Sequence, residues 1–371
     1  MKRVLLLLLL AGGLLPACNS GKQEKAKSDS TSIVVPLAST PYYYTQLKGA
    51  IGDRHITMQL MKTAPNLYRG YYCYDSTGVP ISIWGSQDAD QVKIYEDNSN
   101  REEERFFGGT LNDDGVFKGV WHGDSTSYHF ELHTDLRKAQ QLQVFYSADS
   151  IRLLPSFAGS PLGVASNSII WPDSSTDSTL SAFLRREITG DVRISDPQQF
   201  VRRAIDSFVT SYRIAAKDAD TSDIADGQSA SWNWTTESDM KVVWNTWPLL
   251  VIEKYAYDFT GGAHGNWGAT YQTLDLSKHK VLTPDDFFKP GYKDVLSPLL
   301  DKAFRKKFHI DEDESLDQSL LVKTIVPNNN FIVTGKGVAF SYVPYEIGPY
   351  ALGQVTLFIP FTELKSVMKK Q

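Results

Sequence analysis

Cysteine is nearly absent from this chain: there are two in 371 residues, Cys18 and Cys73. A chain so poor in thiols holds its folds by packed cores rather than by a disulfide framework. Long apolar runs are missing as well. Beyond residues 5–10 no segment approaches the roughly 20 apolar residues that a membrane-spanning helix needs. Positive charge is not in excess, since 38 Lys and Arg stand against 43 Asp and Glu, a formal charge of -5. That balance argues against nucleic acid or anionic lipid as the main partner and suits a basic protein better. Of the seven histidines, His122, His129, His279 and His309 supply no metal-ligand spacing. The G-x-S-x-G elbow of serine hydrolases is missing too. No metal, cofactor or nucleic acid is therefore expected. What is present is a hydrophobic content of 42% with 12% aromatics, ample for packed cores and, at this length, for two or three domains.

The N-terminus has its own layout. Lys2 and Arg3 precede a leucine run over residues 5–10 and then Ala11-Gly12-Gly13, the pattern of a signal peptide. It ends at Leu15-Pro16-Ala17-Cys18, which resembles the bacterial lipobox. The resemblance implies cleavage before Cys18 and acylation of its thiol, with the membrane as a partner through that lipid. Residues 1–17 are then signal peptide, and 18–40 a lipidated tether too polar to repay the entropy of ordering. Losing Lys2 and Arg3 takes the charge from -5 to -7. The protein is expected in the cell envelope, lipid-anchored, periplasmic or on the outer surface. Cys73, in Gly70-Tyr71-Tyr72-Cys73-Tyr74, has no base beside it and reads as a buried small hydrophobe.

Residues 41–150 read as an all-β meander. Eight short alternating segments are centred on 44–51, 55–62, 67–74, 80–84, 91–95, 105–111, 116–121 and 127–132, with turn-forming breaks between them. Short turns impose antiparallel neighbours, so the meander either closes into an eight-stranded barrel or stays a curved sheet. A closed barrel of this size either holds a lipocalin-like pocket or is filled by its own side chains. Residues 151–164 have linker composition. From 165 to 371 the pattern is α+β with an antiparallel sheet. Helical spacing appears at Leu180, Phe183, Leu184 and Ile188, and again at Val201, Ile205, Phe208 and Tyr212, where Ser195 or Asp196 caps and Pro197 opens the helix. Aromatic-rich strands follow near 230–234, 240–247, 249–259 and 267–276. Helices return near 293–308 and after Pro360, with strands near 330–333, 337–343 and 354–359.

Two stretches of this second unit carry a family resemblance. Tyr257-Asp258-Phe259-Thr260-Gly261-Gly262-Ala263-His264-Gly265, with Leu282-Thr283 and Asp285-Asp286-Phe287-Phe288, is similar to the signature of the RsiV-like extracytoplasmic domain family. So is the stretch from Phe340 to Gly353 that contains Tyr342-Val343-Pro344-Tyr345-Glu346-Ile347-Gly348-Pro349-Tyr350. Gly348 stands where alanine is commoner. That family accompanies anti-sigma factors that bind lysozyme outside the cell, and sits beside the catalytic domain of PdaC-type peptidoglycan deacetylases. The resemblance implies an envelope role and carries over no catalytic residue.

Two classes of function follow. In the first, the chain is a binding module for cell-wall glycan or for a wall-degrading enzyme such as lysozyme, recognised by His264, Trp267, Tyr342, Tyr345, Glu346 and Tyr350. In the second it is a hydrolase acting on envelope glycan, with His264 and Glu346 or Asp258 as an acid-base set. The first is preferred because a lone histidine in a glycine turn and a glutamate among tyrosines make no tuned acid-base pair. Replacement of the acylated thiol tests the anchor: Cys18→Ala is expected to abolish metabolic palmitate labelling and leave unprocessed precursor, and labelling that persists would refute it.

Overall fold

The computed structural model describes residues 37, 40–97, 104–219, 224 and 230–370. The expected signal peptide at 1–17, Cys18, and the tether apart from residues 37 and 40 lie outside them. Eight strands make the first layer: β1 (Tyr43–Ile51), β2 (Arg54–Ala64), β3 (Leu67–Tyr74), β4 (Ile81–Asp88), β5 (Gln91–Glu96), β6 (Phe106–Leu111), β7 (Val116–His122) and β8 (Ser127–Thr134). Each pairs antiparallel with the next, and β1 returns to β8 with Leu47 opposite Thr134 and Ile51 opposite Phe130, so the meander closes into a barrel. Close strand approach needs glycine. Gly109 and Gly119 face one another across β6 and β7, and a Cβ on Gly119 would lie 2.1 Å from the Gly108 carbonyl oxygen.

Period-2 alternation sends every second side chain inward, and these fill the barrel. Leu47, Ile56, Met58, Leu60, Ile94, Phe107 and Phe117 have no exposed surface. Phe107 meets Tyr72 and Phe130 edge to face, at 87° and 84°. Buried Glu96 accepts hydrogen bonds on Oε1 from the Tyr72 hydroxyl at 2.5 Å and from Trp121 Nε1 at 2.9 Å, which ties three strands of the barrel together. The barrel is a packed scaffold rather than a cup. Cys73 is buried in it, and desolvation pushes its thiol up to about 12, which leaves it unreactive.

A second sheet follows, built from β9 (Leu142–Arg152), β10 (Leu162–Pro172), β11 (Thr235–Thr246), β12 (Leu249–Phe259), β13 (Asn266–Asp275) and β14 (Lys280–Leu282), neighbours in that order. Residues 151–164 are thus the end of β9, a hairpin loop and the start of β10 rather than a linker. The polar second half of β9, Ser147-Ala148-Asp149-Ser150, is typical of an edge strand and hides the pairing from a pattern reading. β10 and β11 run parallel, which requires a crossover, and helices α1 (Ser178–Thr189) and α2 (Pro197–Ala215) belong to it. Asp177 caps α1 through Thr179 and Leu180, and Asp196 caps α2 through Gln199. Their apolar stripes, Leu180, Phe183, Leu184, Ile188 and Val201, pack with Ile169 and Val242 of the sheet.

The last layer is a three-stranded antiparallel sheet of β15 (Phe331–Val333), β16 (Gly337–Tyr342) and β17 (Val355–Pro360). Against it lies α3 (Tyr292–Phe308), burying Leu296, Leu300 and Phe304 among Phe331, Phe340 and Leu357. After Pro360 there is a single helical turn, Phe361–Leu364. Barrel and sheets pack into one unit. Fully buried Gln46 donates to the Asn245 carbonyl at 2.7 Å, and Asn245 Nδ2 donates to the Tyr44 hydroxyl at 2.9 Å. A filled barrel makes a stability prediction. Phe107→Ala should cost about 3 to 5 kcal/mol in urea unfolding, because it opens a cavity among three other rings. A loss below about 1 kcal/mol would mean the barrel interior is not packed this way.

Candidate functional site

The glycine-rich stretch joins β12 to β13. Gly261 and Gly262 take φ of +98° and +105°, backbone that other residues rarely adopt, and the loop folds back on itself. His264 Nδ1 donates to the Gly265 carbonyl at 3.0 Å, which places its proton there. The ring stacks on Tyr350 with 4.2 Å between centroids, and the Tyr350 hydroxyl donates to the same carbonyl at 2.6 Å. His264 therefore holds the turn, as a turn histidine bonding local backbone would.

The other five expected site residues divide. Tyr350 and Trp267 line one cleft, and Tyr345, 56% exposed, tilts against Tyr350 at 5.6 Å. Tyr345 has φ +72°, a left-handed backbone that is costly for an aromatic residue. Glu346 closes the same loop, accepting from Val343 N at 3.0 Å and Asn328 Nδ2 at 2.7 Å. Tyr342 does not belong to a recognition surface. It is 1% exposed and its hydroxyl donates to the Val326 carbonyl, because β16 is the central strand of its sheet and buries all six residues.

The cleft, about 540 Å³, runs between the outer wall of the barrel and the second sheet. Leu67, Arg69, Ser82, Ile83, Trp84 and Asp97 line it from the barrel. Lys241, Tyr255, Tyr257, Trp267 and Tyr350 face them. Strand register explains the grouping. Tyr255 and Tyr257 alternate on one face of β12, and Trp267 lies directly across from Tyr257 on β13. Arg69 lies directly across from Trp84. Trp84 is then braced from behind by a row that crosses three more strands in register. It stacks on Tyr95 at 4.8 Å, Tyr95 meets Phe106 at 5.7 Å, and Phe106 stacks on His122 at 4.5 Å. Another hollow of about 560 Å³ on the barrel wall is bordered by Ala50, Gly52, Gly119, Phe130 and a few polar side chains.

Charges meet at the cleft floor. Arg69 pairs with Glu237 at 2.5 Å and with Asp239 at 3.5 Å, while Lys241 pairs with Glu253 at 2.6 Å. Glu253 also accepts from the hydroxyls of Tyr71 and Tyr271, and Asp239 from Ser168. Burial and the Glu253 charge hold both tyrosines well above their usual range. Burial opposes the charge of Lys241, yet Glu253 and Asp239 outweigh it and raise its pKa. For Asp239 burial wins over Arg69 and Lys241, and its carboxyl sits above the usual range. Asp97, on the barrel side, is likewise raised by desolvation, against the pull of Lys241 and Lys307. Among the described residues no three His, Cys, Asp or Glu side chains are grouped to hold a metal ion.

Comparisons with known proteins align with this architecture. A family model described as Deacetylase PdaC matches residues 164–267, and the model of a protein of unknown function, DUF3298, matches 285–362. The chain contains a PdaC domain and a DUF3298 domain. Neither match reaches the barrel. A solved member of the DUF3298 family from Bacteroides fragilis is 25% identical, with a TM-score of 0.56 over 63% of this chain and 95% of its own. A DUF3298 family protein from Pseudomonas aeruginosa is 22% identical over 62% of this chain and 94% of its own, with a TM-score of 0.41. No curated protein matches. The PdaC domain supplies Lys241, Tyr255, Tyr257 and Trp267, the DUF3298 domain supplies Tyr350, and the barrel closes the cleft.

Sequence reasoning did not single out Arg69, Trp84, Asp97 or Lys241. The alternation Ile81-Ser82-Ile83-Trp84 held a signal, because with the isoleucines inward Trp84 must face out. The floor is testable by stability. Arg69→Met should cost about 3 kcal/mol, since Asp239 stays buried without its cation, and adding Asp239→Asn should recover most of it. The folded pKa of Asp239 lies above its unfolded value, so its ionisation disfavours the fold and the loss should deepen as pH rises through that pKa. Urea unfolding at several pH values checks both, and additive losses in the double variant would refute the pairing.

Proposed function

We propose that the protein is a non-catalytic binding module of the cell envelope, tethered through Cys18, whose cleft takes a chain of sugar rings from cell-wall glycan. The observation that carries this is the cleft lining. Five rings, Trp84, Tyr255, Tyr257, Trp267 and Tyr350, face one groove with charged and hydroxyl groups interspersed among them. Flat apolar faces stack on the C–H faces of pyranose rings, and tyrosine and tryptophan add polar edges for the sugar hydroxyls. The rings are held by strand register and by stacking, so little side-chain entropy is lost on binding. The two domain matches and the resemblance to the RsiV-like family support an envelope setting.

The hydrolase alternative draws no support from these side chains. His264 and Glu346 spend their polar atoms on backbone or on loop closure, Asp258 accepts from Thr236, and none of the three lines the cleft. A basic enzyme such as lysozyme is favoured by the net charge but not by the cleft, whose lining includes Arg69 and Lys241. The test is a sedimentation assay of purified protein with insoluble peptidoglycan, beside pull-down on lysozyme and an assay for released muropeptides. Trp267→Ala and Tyr350→Ala are each expected to weaken glycan binding by about 1 to 3 kcal/mol without loss of fold. Retention on lysozyme alone, or turnover of muropeptides, would overturn the reading.

A further inference from the structure

Aromatic surface continues past the lining on both walls of the cleft. On the barrel, half-exposed Trp84 is the first ring of a row that leads outward through Tyr95, Phe106 and His122, at separations of 4.8, 5.7 and 4.5 Å. These three alternate with buried Ile94, Phe107 and Trp121, so strand register turns them to the outer face, where each keeps part of its surface in water. Lys93, two residues before Tyr95 on the same strand face, sets its ammonium 4.5 Å from the Tyr95 ring and 4.1 Å from the Phe106 ring. On the other wall Tyr350 adjoins Tyr345, which is exposed and lies outside the cleft lining. The row therefore offers apolar ring surface punctuated by a phenol hydroxyl, an imidazole and an ammonium, a mixture that suits the C–H faces and hydroxyls of sugars. Neighbouring strands stand about 4.8 Å apart, close to the advance of one β-linked pyranose, so the steps from Trp84 to His122 add room for about three further sugars.

We infer that the binding surface is a track longer than the cleft, running out past Trp84 along the barrel wall and past Tyr350 to Tyr345, and that it takes an internal stretch of a linear glycan rather than a chain end. This rests on the glycan-binding reading and adds the length and the part of the chain that is bound. The occupant of the outer row is the same chain that fills the cleft, because Trp84 belongs to both surfaces. A ligand that leaves the cleft over either wall meets further rings, so extra sugars add contacts and a free terminus is not needed.

The test is calorimetric titration of the purified protein with the trimer and the hexamer of N-acetylglucosamine, and with the hexamer reduced to the alditol at its end. The hexamer is expected to bind about tenfold tighter than the trimer, and reduction of its end to change its affinity by less than about threefold. Phe106→Ala, which leaves Trp84 its direct stacking partner Tyr95, and Tyr345→Ala should each weaken the hexamer about three- to tenfold and leave the trimer within about twofold. Melting temperatures check the fold of both variants, and Lys93→Ala probes the same stretch of wall should Phe106→Ala unfold. Equal affinity for trimer and hexamer, equal losses for both ligands in the variants, or loss of binding on end reduction would overturn the inference and leave the glycan reading standing. Failure of every oligomer to bind would overturn both.

Discussion

Arg69 is the residue on which the geometry of the cleft depends. It leaves the outer wall of the barrel and meets Glu237 and Asp239 of the second sheet, beside the Lys241–Glu253 pair that Tyr71 and Tyr271 complete. Charges withdrawn from water are tolerated only when paired, and breaking one pair strands its partner. The barrel can therefore neither slide nor rotate against the sheet without orphaning a buried carboxylate. Tyr71 extends the constraint, since it sits in the same strand as Arg69 and reaches Glu253 on the opposite side of the interface.

With the barrel pinned, its packed interior becomes useful in another way. A barrel filled by its own side chains has no cavity to offer, so whatever it presents to a ligand lies on its outer wall. There an in-register row from His122 through Phe106 and Tyr95 ends on Trp84, at the edge of the cleft. On the facing side Tyr350 is pinned to the glycine turn by its hydrogen bond to Gly265 and by the stack with His264, and the strained Tyr345 stands at its flank. Both walls are rigid for reasons that have nothing to do with a ligand, which is the condition for binding without a large ordering cost.

The elements most legible in the residues were those with one dry face and one wet one. The barrel strands alternate, α1 and α2 carry stripes at helical spacing, and Asp177 and Asp196 stand where caps belong. β9 was not legible because its outer half is polar on both faces, as an edge strand's can be. Among the expected site residues, Trp267, Tyr350, Tyr345 and His264 do gather, because one hairpin and one loop bring two motifs together. Tyr342 misleads for a physical reason. Its hydroxyl suggests a surface, yet a tyrosine on a central strand buries its ring and satisfies the hydroxyl on a carbonyl.

The sequence by itself determined the run of eight antiparallel strands, though not its closure, the α+β character of the second unit, the packed state of Cys73 and the turn at His264. Each of these depends on periodicity, turn chemistry or contacts only a few residues away. Tertiary structure alone decided that the barrel's outer wall faces the PdaC and DUF3298 domains, and that Arg69 and Asp97 share a cleft with Lys241, Trp267 and Tyr350. More than a hundred positions separate the two barrel residues from the other three. Their meeting is set by how buried charges find partners across the interface, which local pattern does not encode.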